Sequence, residues 1–186
     1  MINTNKTYDS LLVLRYQSGS KKAFAILVKR WHAKLCKQAY WYTKDIEVSK
    51  DIAQESWRVI LLKIEMLKDP NSFGSWALMI VNRKAIDWLR KQNKEQERLR
   101  NYTHHYNDVV NDITENNTQE AIIVLRKAIN KLPNTQQQVL NLFYTEEYSV
   151  RQISEIMGVS TGTIKSRLFT AREKLKSILK SKNHEK

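Results

Sequence analysis

Cysteine is nearly absent: Cys36 stands alone among 186 residues, so no internal disulfide can form. Two prolines and four glycines leave few residues for tight β-turns, and a fold made of hairpins would lack its punctuation. No apolar run approaches the roughly 18 residues of a membrane span, and no charged-then-apolar leader opens the chain. A soluble, cytoplasmic protein with no stable membrane insertion is expected. Acid is scarce relative to base, with 32 Lys and Arg against 19 Asp and Glu, a formal net charge of +13 and a pI near 9.8. That excess attracts a polyanion: nucleic acid, an anionic membrane surface, or less often an acidic protein. What is present is enough apolar material, 41%, for small cores, and it recurs at helical spacing, so the expected class is all-α.

Metal and catalytic chemistry find little to work with. His32 and Cys36 are one helical turn apart but supply only two ligands, short of a zinc site. His104 and His105 lie in polar sequence without a carboxylate cluster. Asp51 and Glu55 have the spacing of paired acids, yet no histidine, ligand or nucleophile accompanies them. No catalytic residue, metal or cofactor is expected.

Asp9 or Ser10 is placed to cap a first short helix through Leu11, Leu12, Leu14 and Tyr16, ended by Gly19. From Lys21 a longer helix carries Phe24, Leu27, Val28, Trp31, Leu35 and Ala39 on one side. A third helix should begin near Ser49 and cover residues 51–62. Its apolar arc is wide, with Ile52, Ser56, Val59 and Leu62 or Lys63 on one strip and Ala53, Trp57, Ile60 and Ile64 on another. Asp51, Gln54, Glu55 and Arg58 form its polar remainder. Residues 68–72, KDPNS, make a polar loop around Pro70, and a fourth helix follows, FGSWALMIVNRKAIDWLRKQN. Phe73, Ala77, Ile80 and Trp88 can face a core while Arg83, Lys84, Arg90, Lys91 and Lys94 form a cationic band. Aromatics among cations suit single-stranded DNA, where bases stack on rings and the backbone meets charge. A helix core holding two tryptophans is the rival reading, and periodicity alone favours it.

Between Asn101 and Glu120 there is no lysine or arginine, and asparagine occurs at 101, 107, 111, 116 and 117. In so basic a chain that shift marks a flexible linker, residues 99–120, between two small helical domains, 1–98 and 121–182. Beyond it, Ile122, Leu125, Ala128 and Ile129 repeat at helical spacing, and Pro133 opens a helix with Val139, Leu140, Leu142 and Phe143.

Residues 146–180, EEYSVRQISEIMGVSTGTIKSRLFTAREKLKSILK, organise the second domain. Ser149 and Gln152 form a capping box, Ile153, Ile156 and Met157 a buried stripe, and Gly158 a stop. Ser160 can cap a second helix whose seam is Ile164, Leu168, Ala171, Leu175 and Ile178. Lys165, Ser166, Phe169 and Thr170 fall away from that seam, with Thr163, Arg167 and Arg172 toward its flanks. A helix, a tight turn and a helix with such a face suit a major groove, polar groups at base edges and cations beside phosphates.

SVRQISEIMGVSTGTIKSRLFTAREKL resembles the C-terminal helix-turn-helix of the sigma-70 family, especially the two-domain extracytoplasmic-function group. DIAQESW at 51–57 is similar to that family's D-L-V-Q-E-x-F segment, and Phe73, Trp76, Ile80, Asp87 and Arg90 match its −10 recognition pattern. One departure is visible: Asn82 then Arg83 where the family usually has arginine then asparagine. The resemblance implies a non-enzymatic initiation factor that binds core RNA polymerase through Asp51, Gln54 and Glu55. It implies contact with the −10 element, including its melted non-template strand, through Lys68, Asp69, Asn71, Ser72, Trp76, Arg83, Lys84, Asp87 and Arg90. The double-stranded −35 element falls to Thr163, Lys165, Ser166, Arg167, Phe169, Thr170 and Arg172. An anti-sigma factor is a further candidate partner. The alternative is a helix-turn-helix repressor or activator whose first domain binds an effector or dimerises. A basic peripheral membrane or RNA-binding protein would explain the charge but not the paired motifs.

Overall fold

The computed structural model describes residues 4–100 and 120–183; residues 101–119 of the expected 99–120 linker, with the pair His104 and His105, fall outside them, while its ends at Arg100 and Glu120 are helical. Every regular element among the described residues is helical. Helices α1 (Thr4–Gln17), α2 (Lys21–Thr43), α3 (Ile46–Lys63) and α4 (Phe73–Arg100) form a first body, with short 3-10 turns at Ile64–Met66 and Pro70–Ser72 between α3 and α4. The second body contains α5 (Glu120–Asn130), α6 (Asn134–Leu140), a π turn at Asn141–Thr145, α7 (Val150–Met157) and α8 (Thr161–Asn183).

Two starts differ from the sequence expectation. Helix α1 begins well before Asp9, and the Asp9 carboxylate is buried, accepting from Arg30 Nε at 2.8 Å and Trp31 Nε1 at 3.0 Å. It ties α1 to α2 and is not a cap. Helix α3 starts at Ile46 because Asp45, in extended backbone, accepts from the Val48 amide at 3.0 Å. Ser49 lies inside the first turn, donating to the Ile46 carbonyl at 2.7 Å. The end of α1 follows expectation: Gly19 takes φ +97° and its amide reaches the Tyr16 carbonyl at 2.8 Å.

In the first body the core gathers Leu12, Leu27, Leu35, Ile60, Ile64, Phe73 and Val81. Trp31 meets Phe73 edge-on at 5.6 Å, and Phe24 meets Trp57 likewise at 5.7 Å. Both tryptophans pack in this core, while Leu62, expected on a buried strip, is 76% exposed. The buried arc of α3 settles on Ile52, Ala53, Ser56, Trp57 and Ile60, which turns Leu62 to the outside.

In the second body, Val139, Leu142, Ile153, Ile156, Ile164, Leu168 and Ala171 continue the same core, so the seam of α8 packs against α6 and α7. The capping box is formed at both ends: Ser149 Oγ accepts from the Gln152 amide at 3.3 Å, and Gln152 Oε1 accepts from the Ser149 amide at 3.0 Å. Gly158, at φ +66°, closes α7. Ser160 Oγ then accepts from the Thr163 amide at 3.1 Å to open α8. Ser149→Ala is expected to cost about 1 kcal/mol, read as a lower midpoint in urea unfolding followed by helical circular dichroism. An unchanged midpoint would show that α7 holds without its cap.

The two bodies touch. Helix α7 lies against α4, Tyr42 OH donates to Gln138 Oε1 at 3.1 Å, and Lys34 Nζ sits 3.2 Å from Glu146 Oε2.

Candidate nucleic-acid interface

On α8, Lys165, Ser166, Phe169 and Thr170 are all exposed, held outward because Ile164, Leu168 and Ala171 turn the opposite side into the core. Phe169 leaves a ring 66% exposed, an apolar surface beside polar groups that suits a thymine methyl in a major groove. Two of the flanking candidates are engaged within the fold. Thr163 Oγ1 lies 2.9 Å from Ser160 Oγ, in the cap. Arg172 Nε donates to Tyr144 OH at 2.8 Å, and its guanidinium stands 5.5 Å from the Tyr144 ring centre and 5.7 Å from that of Phe143. Arg167 is half-buried; burial pushes the Tyr42 phenol up, against hydrogen bonds with Gln138 and Asn82 and the Arg167 charge, which pull it down.

On α4 a turn of about 100° per residue puts Trp76, Arg83, Asp87 and Arg90 on one line. Arg83, Asp87 and Arg90 are exposed, and Trp76 is half-buried with its ring 6.3 Å from Phe73. Arg90 Nη1 pairs with Asp87 Oδ1 at 3.6 Å. Asn82 falls on another face: it is 1% exposed and accepts from Gln38 Nε2 at 3.2 Å. The order Asn82 then Arg83 thus gives the buried site a neutral amide and the outer line a cation.

The preceding loop is a built turn. Pro70 occupies its first helical position, Asp69 Oδ1 accepts from the Asn71 amide at 3.0 Å and from Asn71 Nδ2 at 3.2 Å, and Ser72 Oγ donates to the Asp69 carbonyl at 2.6 Å. Lys68, Asp69 and Asn71 are exposed at its tip.

Asp51, Gln54 and Glu55 are exposed on α3, with Arg58 beside them. Glu55 Oε2 accepts from Lys84 Nζ at 3.0 Å, and this bond and charge hold its carboxyl below the usual carboxylate range. The pair joins a residue expected at polymerase to one expected at DNA, 29 positions apart in sequence. Sequence reasoning also missed Glu146 and Tyr148, which carry contacts between the bodies; an aromatic directly before a capping serine was the available signal. It missed a groove of about 650 Å³ beside α5, α6 and α8, lined by Leu125, Ile129, Leu140, Tyr144, Arg172 and Leu175.

Cys36 Sγ and His32 Nε2 are 3.6 Å apart, and no group of three metal-ligating side chains occurs among the described residues. No described helix is long and apolar enough to cross a membrane.

A capped helix-turn-helix with an open polar face, beside a helix bearing a line of aromatic and cationic groups, defines an all-α DNA-binding protein. The family described as Sigma-70 region 2 matches residues 27–95, and that described as Sigma-70, region 4 matches residues 122–175. The chain belongs to the sigma-70 family of RNA polymerase sigma factors, in its extracytoplasmic-function group. It is similar to the ECF RNA polymerase sigma-E factor of Haemophilus influenzae, with 30% identity over 178 residues that cover 91% of this chain and 94% of the relative. The RNA polymerase sigma factor SigV of Bacillus subtilis is 31% identical over 137 residues, 72% of this chain and 76% of that one. Among solved structures, the sigma factor RpoE of Bartonella quintana, in complex with the anti-sigma factor NepR, aligns at a TM-score of 0.66 and 21% identity over 86% of this chain and 98% of that one. CnrH in complex with the cytosolic domain of CnrY aligns at 0.59 and 19%, covering 94% and 98%. These two likenesses carry the fold alone.

Proposed function

We propose a division of labour within this sigma factor, which binds core RNA polymerase and directs promoter-specific transcription initiation. Residues 1–98 dock on core polymerase through Asp51, Gln54 and Glu55 and recognise and melt the −10 element. Residues 121–182 read the −35 element, and 99–120 join the two. The observation that carries this reading is the presence of two different DNA-suited faces in one chain. The helix-turn-helix presents short polar groups for a duplex, whereas α4 presents Trp76 in line with Arg83 and Arg90, the pattern that suits an unpaired strand. A repressor or activator needs only the first face. The polymerase performs nucleotidyl transfer, and this chain acts in the cytoplasm by positioning it. An anti-sigma factor is the regulatory partner that the fold admits.

Run-off transcription with purified core polymerase tests the function: a promoter-specific product is expected, and its absence with every enriched template would reject the reading. The −35 assignment has its own test. Each specific base contact is worth about 1–3 kcal/mol, so Ser166→Ala with Thr170→Ala is expected to change base preference in a binding-selection profile. Arg167→Ala is expected to weaken binding to all sequences alike with a shallower salt dependence. Identical profiles for wild type and the double variant would remove Ser166 and Thr170 from base reading.

A further inference from the structure

A cleft of about 210 Å³ lies where α1, α2, the 68–72 loop and the start of α4 meet the turn that precedes α7. On the side of the first body its lining includes Lys6, Asp9, Trp31, Lys34, Asn71 and Gly74, the Asp9 carboxylate being held by Arg30 and Trp31. Thr145, Glu146, Glu147, Tyr148 and Gln152 line it from the second body, and two of these meet cations of the first. Tyr148 is 5% exposed, with the Lys6 ammonium 5.2 Å from its ring centre. Glu146 meets Lys34 at 3.2 Å, and Lys34 in turn stands 4.8 Å from the Trp31 ring centre.

Gly74 makes the room. A Cβ there would come within 2.6 Å of Trp31 Cη2 and 2.7 Å of Tyr148 Oη. Glycine is a poor helix former, and in the first turn of α4 its lack of a side chain is what admits the phenol. A flat ring beside one ammonium, with an anion two residues away on a second, is the arrangement that a nucleotide presents: base and phosphate.

We propose that Glu146 and Tyr148 form an intramolecular plug that occupies a single-stranded-DNA subsite of the first body, so that the two bodies in contact hold the protein out of its melting-competent form. The inference rests on the reading that the 68–72 loop faces the melted −10 strand. Geometry requires the plug to leave when both elements are bound. Elements named about 25 base pairs apart lie roughly 85 Å apart on B-DNA at 3.4 Å per step. A helical body of this size has a radius of gyration of only about 13 Å. Bodies in direct contact cannot reach both. Separation withdraws Tyr148 and Glu146 and leaves Trp31, Lys34 and Lys6 beside Asn71 for the DNA strand.

The test uses the full chain and a fluorescein-labelled, random-sequence, single-stranded DNA 12-mer, read by anisotropy. Tyr148→Ala with Glu146→Gln is expected to bind about tenfold more tightly than wild type, and adding Lys34→Ala to remove most of the gain. Glu146→Gln alone leaves the buried ring in place and should give a smaller gain that is still lost with Lys34→Ala. This variant decides the matter if removing the tyrosine prevents folding. Glu155→Gln, an equal charge change at an exposed position of α7, is the control and should not reproduce the gain. Unchanged affinity in the plug variants, a gain matched by Glu155→Gln, or a gain indifferent to Lys34 would each overturn the plug. Promoter-directed transcription with core polymerase, measured on the same preparations, reports separately on the underlying function and should be retained by the double variant.

Discussion

Replacing Asp69, Asn71 and Ser72 with alanine is expected to leave binding to core polymerase and closed-complex formation nearly intact while sharply reducing permanganate-detected opening at the −10 element. Extruding a base costs a few kcal/mol of stacking and pairing, and each 1.4 kcal/mol of lost compensation is about tenfold in the opening equilibrium. A reduction of about tenfold or more is therefore the expected result. The loop's hydrogen bonds refine this expectation. Asp69 accepts from both the backbone and the side chain of Asn71, and its carbonyl accepts from Ser72, so Asp69 organises the turn that presents the other two. Asp69→Ala alone should reproduce much of the triple variant's defect. A pre-melted bubble template should restore part of the transcription, since the duplex has already been opened. If the triple variant opens duplex promoters as wild type does, the loop is a connector and base capture lies elsewhere in the first body.

The parts of this fold that were legible in sequence are those whose physics is local. A capping box joins residues three apart, a glycine stop needs only its own backbone freedom, and the seam of α8 repeats every three or four positions. Ser149, Gln152, Gly158, Ile164 and Leu168 therefore stand where the pattern placed them. The departures concern partners distant in the chain. Asp9 has the chemistry of a cap, but its buried carboxylate joins Arg30 and Trp31, 21 and 22 residues away. Helix α3 starts before the expected Ser49 because Asp45, four residues earlier, caps it, and Ser49 bonds within the first turn. Leu62 shows the limit of a wide apolar arc, which tells that a helix is mostly buried without telling which edge is left outside.

The same division applies to the candidate site. Exposure of Lys165, Ser166, Phe169 and Thr170 followed from the seam opposite them, a local inference. The attachment of Arg172 to Tyr144 spans 28 residues, and that of Lys84 to Glu55 spans 29. Periodicity assigns a face but not the partner that a long flexible side chain chooses there. Of the Arg172 donors expected at a phosphate, Nε is already committed to the Tyr144 phenol. Contact between Tyr148 and Gly74 lay furthest from view, since it depends on how two bodies separated by a linker come together.

The triple change Asp51→Ala, Gln54→Ala and Glu55→Ala is expected to weaken binding to core polymerase by roughly thirtyfold or more while keeping the protein helical. Retention of the helix follows from where the residues lie. Ile52, Ala53, Ser56, Trp57 and Ile60 anchor the opposite side of α3, and alanine is the best helix former of all. The loss of affinity follows from interface energetics. Truncating one partner of a buried, hydrogen-bonded charge pair costs about 2–5 kcal/mol, and even the lower figure is roughly thirtyfold. Glu55 needs a separate control because of Lys84. Their bond joins a carboxylate 61% exposed to an ammonium 29% exposed, so its loss should alter stability by no more than about 1 kcal/mol. Lys84 depresses the Glu55 pKa, so the pair's contribution is present at neutral pH and is lost as pH falls through that lowered value. Lys84→Ala should therefore leave core affinity near wild type at neutral pH while Glu55→Ala lowers it, which separates docking by the carboxylate from upkeep of the ion pair. Normal core affinity in a fully helical triple variant would exclude this face of α3 from the polymerase contact.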